Sequence, residues 1–385
     1  MRLAFVHKHF GREGGTERVL VELARGLAAR GHRIDLFCAS WDRDLKLLPN
    51  LQLRPLPVWR GSAVLRNLSF YLAARLLVRA SRYDLVVHFG RSGPGDVYRS
   101  GGGCHRRWLG LLSAASSPLR RLLLRFSPRQ AFLLWHERRA IAGPCRIVVP
   151  SPRARQELVD CYGPGANKVE VLANGVDLGR FRPELRQQWG ASQRAAWGVR
   201  PGDRVLLFVG SDYWRKGLDR VLAALARIES QGQRFVLLVA GGDRRQAAFR
   251  RRARSLAVGD QVLFLGAVAH PELLYAAADL LLILTRHDPF ANVTLEALAS
   301  GVPVISTAAN GAVSVLGAGA ALEVVDEDCE PQLLAARIEG MLEPVGLDSR
   351  RAAARAQAEH FSQERATRSW EQLLSGELER RRNCA

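Results

Sequence analysis

The chain has 385 residues, of which 48% are hydrophobic, 24% charged and 7% aromatic, a balance that excludes a disordered chain and leaves room for two domains of ordinary size. No apolar run reaches the ~18 residues of a membrane span. The opening MRLAFVHKHF interrupts any signal-peptide core with two histidines and a lysine, so a cytoplasmic protein is expected.

The net charge of +19 is one-sided: residues 1–175 hold 29 Lys/Arg against 12 Asp/Glu, an excess of +17, while the other 210 residues carry +2. A basic field of this kind suits an anionic partner, whether nucleic acid, phospholipid headgroups or a phosphorylated substrate. The six cysteines, Cys38, Cys104, Cys145, Cys161, Cys329 and Cys384, are scattered without a CxxC pair. That argues against a zinc site and against a disulfide framework.

Residues 2–7 read as a short buried strand. The Gly-rich FGREGG follows, then the helical pattern TERVLVELARGLAARGH and a second strand, RIDLFCA. This is the opening of a doubly wound sheet. Further buried strands are expected at 84–89 and 146–150, with a long Gly-rich loop over 90–108 between them. A second series has strands at 205–211, 235–241, 261–266, 279–285 and 302–307 and an amphipathic helix at 218–228. All of these strands are apolar without alternation, as parallel strands covered on both faces must be. The periodicity lapses near 173–184, ANGVDLGRFRPE, which marks the join. The C-terminal stretch is helical, with an apolar face around Trp370, Leu373 and Leu374.

The segment DPFANVTLEALASGVPVI, 288–305, carries the most chemistry. Two acids, Asp288 and Glu296, stand eight positions apart, and a helix opens between them near Asn292 and Val293. Unpaired N–H groups at a helix N-terminus bind phosphate, and a carboxylate one turn on can accept from a ribose diol. In GSDYWRKGLDR, 210–220, Gly210 ends a strand, and the adjacent cations Arg215 and Lys216 stand where α/β folds bind ligands. Two cations beside a diphosphate offset the charge that grows on a leaving group. Gly14 and Gly15 lie between the first strand and the first helix, where backbone can approach a ligand closely. The pattern is not GxGxxG, so no NAD site is read. Asp42 and Asp44 form a D-x-D read as a solvated loop, and no metal is expected.

The acid-x7-acid segment resembles the signature of family 4 glycosyltransferases, retaining enzymes of the GT-B fold. It shares Phe290, Glu296, Ala297, Ala299, Gly301, Pro303 and Val304, and departs at Asp288, where Glu is usual, and at Ala291, where Gly is usual. The R-K-G context of Lys216, the early Gly-Gly and NGVD at 174–177 occur in the family's order and cover most of the chain. GDVY at 95–98 resembles a phrase of the bacterial glucosyltransferases that build the lipopolysaccharide core.

The resemblance implies two Rossmann-like domains facing a cleft, residues 1–175 and 186–358, with a C-terminal helix, 360–385, returning to the first. It implies a UDP-sugar donor, UDP-glucose foremost, as co-substrate and no further cofactor. Donor contacts would fall to Gly14, Gly15, Gly210, Arg215, Lys216, Val268, Asp288, Phe290, Ala291, Asn292, Val293, Thr294 and Glu296. Backbone around Gly266–Val268 would hold the base, Glu296 the ribose, and Arg215, Lys216 and N–H groups near Val293–Thr294 the phosphates. Asp288 would lie near the sugar. His105 is the candidate for a family histidine facing the sugar, and Asp96 for an acceptor contact or a loop cap. Family enzymes are thought to let the leaving phosphate deprotonate the incoming hydroxyl. The readings left beside this one are a GDP-mannose-dependent enzyme of the same fold and a non-catalytic glycan-binding relative.

Residues 105–139 alternate Arg, Leu, Phe and Trp in blocks with Glu137 as the only acid. That suits a helix lying at an anionic bilayer surface, and equally one that packs its Leu face inward. The expected acceptor is an anionic lipid-linked glycan, met peripherally at the inner face of the membrane. No nucleic-acid recognition motif is present.

Overall fold

The computed structural model of the chain describes residues 1–383 except 12–13, 43–44, 46, 60, 80–82, 94, 144–145, 164, 166–167 and 229–232. Asp44, Cys145 and Cys384 therefore lie outside the described residues. The chain divides into two compact units, Met1–Gly175 with Gln363–Ala385, and Val176–Ser362.

The first unit contains β1 (Arg2–Val6), β2 (His9–Phe10), α1 (Gly15–Ala29), β3 (Arg33–Cys38), β4 (Ser40–Trp41), β5 (Leu51–Pro55), α2 (Ala63–Arg79), β6 (Leu85–Phe89), β7 (Val97–Arg99), α3 (His105–Ala114), α4 (Pro118–Arg125), α5 (Pro128–Ala142), β8 (Arg146–Val149), α6 (Pro152–Tyr162) and β9 (Val169–Val171). Its main sheet runs β5-β3-β1-β6-β7-β8-β9 and every pairing in it is parallel. β1 is central, so Leu3 through Val6 are at most 1% exposed. The helix α1 buries Leu20, Leu23, Ala24 and Leu27, a helical spacing that makes one apolar face. The C-terminal helix Gln363–Asn383 adds Trp370 and Leu374 to the same core.

The second unit contains α7 (Ala191–Ala196), β10 (Arg204–Val209), α8 (Tyr213–Lys216), α9 (Leu218–Leu225), β11 (Phe235–Ala240), α10 (Gln246–Ser255), β12 (Val262–Gly266), α11 (Pro271–Ala277), β13 (Leu280–Ile283), α12 (Asn292–Ala299), β14 (Val304–Thr307), α13 (Val313–Leu316), β15 (Leu322–Val325), α14 (Pro331–Met341) and α15 (Leu347–Glu359). Its all-parallel sheet runs β12-β11-β10-β13-β14-β15. In order of appearance that is 3-2-1-4-5-6, the doubly wound order of Rossmann folds. Successive strands spread outward from β10 on one side and from β13 on the other. The crevice at the carboxyl ends of β10 and β13 is thus the topological switch point, where such sheets bind ligands. In the first unit the same logic selects the ends of β1 and β6.

Three expectations are corrected. The loop over 90–108 is interrupted by β7, which pairs with both β6 and β8. The basic stretch 105–139 is three helices rather than one. The breaks fall at Pro118 and Pro128, each the first residue of the helix that follows, where a missing N–H costs nothing. The C-terminal helical stretch is likewise two helices, broken between Glu359 and Gln363.

Candidate functional site

In the second unit the chain leaves β10 at Gly210 and turns through Asp212, which sits at φ 57° and caps α8 by accepting from the Arg215 N–H at 3.4 Å. A second acid, Asp243 after β11, accepts from the Tyr213 N–H at 2.6 Å. This four-residue turn delivers Arg215 and Lys216, and the methylenes of Lys216 lie over Gly210. Gly217 then reverses the chain at φ +83°, where a Cβ would sit 2.0 Å from the Leu284 carbonyl oxygen. Only glycine permits so close a pass beside the exit of β13. The exit returns the contact: the Arg286 N–H and the Thr285 hydroxyl donate to the Arg215 carbonyl at 2.8 and 3.0 Å.

Four residues after Leu284 comes Asp288, 6% exposed. Its Oδ2 accepts from Lys216 Nζ at 2.5 Å and from Arg215 Nη1 at 2.9 Å, and its Oδ1 accepts from the Phe290 N–H at 3.1 Å. Burial alone would push this carboxyl up, but Lys216 and then Arg215 outweigh it and hold it well below the usual carboxylate range. The first acid of the signature is therefore spent on the two cations, and the shorter Asp side chain keeps its carboxylate beside them.

Phe290 and Ala291 are buried, and α12 begins at Asn292. Asn292 and Val293 are half-buried in the first turn, whose N–H groups point out of the helix N-terminus. Thr294 is fully buried; its hydroxyl accepts from Asn310 Nδ2 at 2.9 Å and its N–H points at the Ala291 carbonyl, also 2.9 Å. The Thr294 side chain thus faces inward. Glu296 lies one turn further, 5% exposed, with Oε2 accepting from the Tyr275 hydroxyl at 2.8 Å. Val268, half-buried, follows the end of β12.

Sequence reasoning missed Asn310. It is fully buried, accepts from the Ala291 and Ala312 N–H groups at 3.1 Å each, and donates to Thr294 and Ser306. It is the peg that fixes the loop entering α12. A lone Asn between small residues carries no periodic signal, so nothing in the sequence marked it.

The first unit has its own concavity, a pocket of about 210 Å³ at the ends of β1 and β6. Its walls include His7, Lys8, Glu17, Arg91, Tyr98 and Ser100. Lys8 donates to Asn67 at 2.6 Å. Burial, followed by the neighbouring charges of Arg91, Arg66 and Arg129, lowers its ammonium to about 8. Arg91 is paired at 2.7 Å with Glu137, a fully buried acid that also accepts from the Tyr162 hydroxyl at 2.7 Å and the His105 N–H at 2.9 Å. His7 spans the Phe89 carbonyl at 2.7 Å and Glu17 at 3.3 Å. None of these pocket residues was singled out as a site residue from sequence. Their elements were legible, but the pocket joins positions about 80 residues apart.

Gly14, at φ +97°, precedes α1, and Gly15 begins it; both are exposed. A Cβ on Gly14 would meet Glu17 Oε2 at 2.3 Å, so the glycine lets that carboxylate fold over the helix start. His105 begins α3, bound through Nε2 to Gln130 at 2.8 Å; burial and then Arg91 lower its imidazole below the ordinary value. The acceptor contact proposed for Asp96 is corrected. Asp96 stands before β7 at the amino ends of the strands, opposite the ligand-binding edge. Its Oδ2 accepts from the Val86 N–H at 2.7 Å and meets Arg381 at 3.3 Å, which is the work of a cap. In NGVD, Asp177 accepts from the N–H groups of Gly179 and Arg180 and closes a turn. Among the described residues no group of three or more His, Cys, Asp or Glu is placed to hold a metal ion.

The Glycosyltransferase Family 4 model matches residues 13–180 and the Glycosyl transferases group 1 model matches residues 191–360. A D-inositol 3-phosphate glycosyltransferase of Geodermatophilus obscurus is 30% identical over 390 aligned residues, covering 93% of this chain and 84% of its own. The chain is a member of this glycosyltransferase family. The lipopolysaccharide glucosyltransferase WaaG of Escherichia coli is 27% identical over 300 residues, covering 77% of this chain and 78% of its own. The crystal structure of WaaG, a glycosyltransferase involved in lipopolysaccharide biosynthesis, matches with a TM-score of 0.83 and 25% identity over 97% of this chain and 100% of that one. The structure of HepE of Anabaena in complex with UDP-glucose matches with a TM-score of 0.75 at 20% identity, over 98% of this chain and 100% of that one. This glycosyltransferase is accordingly a GT-B enzyme built of two Rossmann-like units.

Proposed function

We propose that the enzyme is a retaining glycosyltransferase that moves a hexose, glucose foremost, from a UDP-sugar to an anionic lipid-linked glycan of the lipopolysaccharide-core kind. The observation that carries this reading is the convergence, at the switch point of the second unit, of Arg215, Lys216, Asp288 and the start of α12. That set suits a nucleoside diphosphate: two cations and a helix N-terminus for the phosphates, and Glu296 for the ribose. As the bond to the sugar breaks, negative charge accumulates on the terminal phosphate, and preorganised cations stabilise that charge without moving. The leaving phosphate then takes the proton of the incoming hydroxyl on the same face of the sugar. Neither a metal nor a further cofactor is required by this scheme. The likenesses to WaaG and to the UDP-glucose-bound HepE support the donor and acceptor classes.

A thermal-shift screen of UDP-glucose, UDP-galactose, UDP-N-acetylglucosamine and GDP-mannose tests the donor, because the preferred ligand stabilises the fold by mass action. UDP-glucose should raise Tm most; a larger rise with GDP-mannose would replace the donor. Activity that collapses with EDTA and returns with manganese would overturn the metal-free scheme.

A peripheral membrane location belongs to the same reading. Among the described residues no helix is long and apolar enough to cross a membrane. The short helix α4 instead exposes Leu119, Leu122, Leu123 and Phe126 beside Arg120, Arg121 and Arg125, the composition of an interfacial helix on anionic lipid.

A further inference from the structure

Around the pocket of the first unit, positive charge arrives from four places: Lys8 after β1, Arg66 on α2, Arg91 after β6 and Arg129 on α5. Of these only Arg91 has a carboxylate partner among the described residues, Glu137. The acid in the pocket wall itself, Glu17, is engaged by His7. A fifth cation, Arg99, is 2% exposed and lies against the Gly101 backbone, next to the Ser100 and Gly102 wall. Its Nη2 donates to Asn174 at 2.6 Å, and its Nη1 has no hydrogen-bond partner among the described residues. Burial lowers the Arg99 guanidinium to about 10.

Like charges held together in a half-buried pocket destabilise the empty fold. An arriving anion reverses the sign of that interaction. Ser92, Tyr98 and Ser100 line the same space, and a phosphate's oxygens match the pairing of an ammonium with a guanidinium. The pocket also sits at the switch point of its sheet, between the ends of β1 and β6, where the fold directs ligands.

We infer that this pocket is a phosphate subsite for a phosphomonoester carried by the sugar acceptor, with Lys8 and Arg91 as its charged ligands. The inference rests on the reading that the first unit receives the acceptor. It makes Lys8 and Arg91 determinants of acceptor choice.

The test is calorimetry on the full chain at fixed ionic strength with three probes: mannose 6-phosphate, inorganic phosphate and mannose. Mannose 6-phosphate should bind, inorganic phosphate should bind more weakly and compete with it, and mannose should not bind. Lys8→Gln should weaken mannose 6-phosphate at least tenfold, and Lys8→Arg should recover most of the loss, which separates charge from folding. Arg33→Gln, exposed at the start of β3 and away from the pocket, should leave the affinity unchanged and so control for net charge. Equal affinity in wild type and Lys8→Gln, or equal losses in Lys8→Gln and Arg33→Gln, would overturn the subsite. Inorganic phosphate binding without mannose 6-phosphate would overturn the acceptor-borne form. UDP-glucose thermal shift on the same wild-type sample reads the donor assignment separately, so one can fail while the other stands.

Discussion

Lys216 Nζ lies 2.5 Å from Asp288 Oδ2, and Arg215 Nη1 reaches the same oxygen at 2.9 Å. Three charges meet on one carboxylate oxygen, and both Lys216 and Asp288 are less than a tenth exposed. Asp288 thereby fixes the two cations in one geometry before a donor arrives, and leaves the group with a net positive charge. Removal of Lys216 should chiefly affect the step in which phosphate charge develops. Lys216→Ala is expected to lower kcat by about 10²–10³-fold, the usual cost of losing one preorganised charge-stabilising donor, with a smaller change in KM for the nucleotide sugar. Steady-state kinetics checks this; a variant with raised KM and normal kcat would show that Lys216 binds ground state and transition state alike.

The same cluster makes stability depend on acidity. Asp288 has a folded-state ionisation held below its unfolded value of about 4 by Lys216 and Arg215 against the effect of burial. A depressed carboxyl contributes stability that is present above the unfolded value and lost as pH falls toward the folded one. Tm should therefore fall from about pH 4 downward, and Asp288→Asn should flatten that part of the curve. Asp288→Asn should also cost on the order of 3–5 kcal/mol at neutral pH, since it leaves two cations without their buried partner. Urea titrations of both proteins at pH 7, and at intervals from pH 4 down to about pH 2.5, measure each effect.

Gly217 offers a test of the scaffold. Its φ of +83° and a would-be Cβ 2.0 Å from the Leu284 carbonyl mean that even alanine forces β13 and α8 apart. Gly217→Ala should destabilise by roughly 2–4 kcal/mol and also reduce activity, because the same shift moves Lys216. A variant that melts like wild type would mean the turn relaxes without strain.

The contrast between Lys216 and Lys8 shows what was legible in the sequence. Lys216 lies in a continuous phrase, RKG, after an uninterrupted apolar strand, and both strands of the switch point, β10 and β13, are such runs. Central parallel strands are covered on both faces, so their composition announces them. In the two main sheets the strands not anticipated are β5, β7, β9 and β15. Three of these are sheet edges, where partial exposure admits Gln52, Glu170 and Glu323. The fourth, β7, is three residues long and ends in Arg99, a charged residue buried by its packing. Lys8 and Arg91 were invisible as a pair because only the β1–β6 register brings them together. Asp96 stayed open between an acceptor contact and a cap because β7, the strand it precedes, was not anticipated.

Glu296 and Tyr275 form the next testable pair. The Tyr275 hydroxyl, on a fully buried ring, donates to Glu296 Oε2 at 2.8 Å and holds the carboxylate for the ribose proposed above. Tyr275→Phe should weaken UDP binding by roughly 10-fold, the value of one hydrogen bond to a charged group. Glu296→Ala should weaken it further. Calorimetry with UDP checks both. If Glu296→Ala binds UDP normally, the ribose assignment is wrong.

The membrane proposal has a sharp mutational signature because α4 contributes little to the core. Leu119, Leu122, Leu123 and Phe126 follow the spacing i, i+3, i+4, i+7, one face of a helix, and each is more than half exposed. Their removal should leave Tm almost unchanged, unlike most Leu losses. On a bilayer, each such side chain gains on the order of 1.5 kcal/mol by leaving water, and each arginine nearby adds about 1 kcal/mol on anionic lipid at low salt. Leu122→Gln with Leu123→Gln should thus reduce binding to phosphatidylglycerol vesicles by at least 10-fold, while wild type should bind neutral phosphatidylcholine weakly and release anionic vesicles as salt rises. Vesicle co-sedimentation measures all three. If the double variant binds anionic vesicles as well as wild type does, the basic surface elsewhere on the first unit makes the contact and α4 does not.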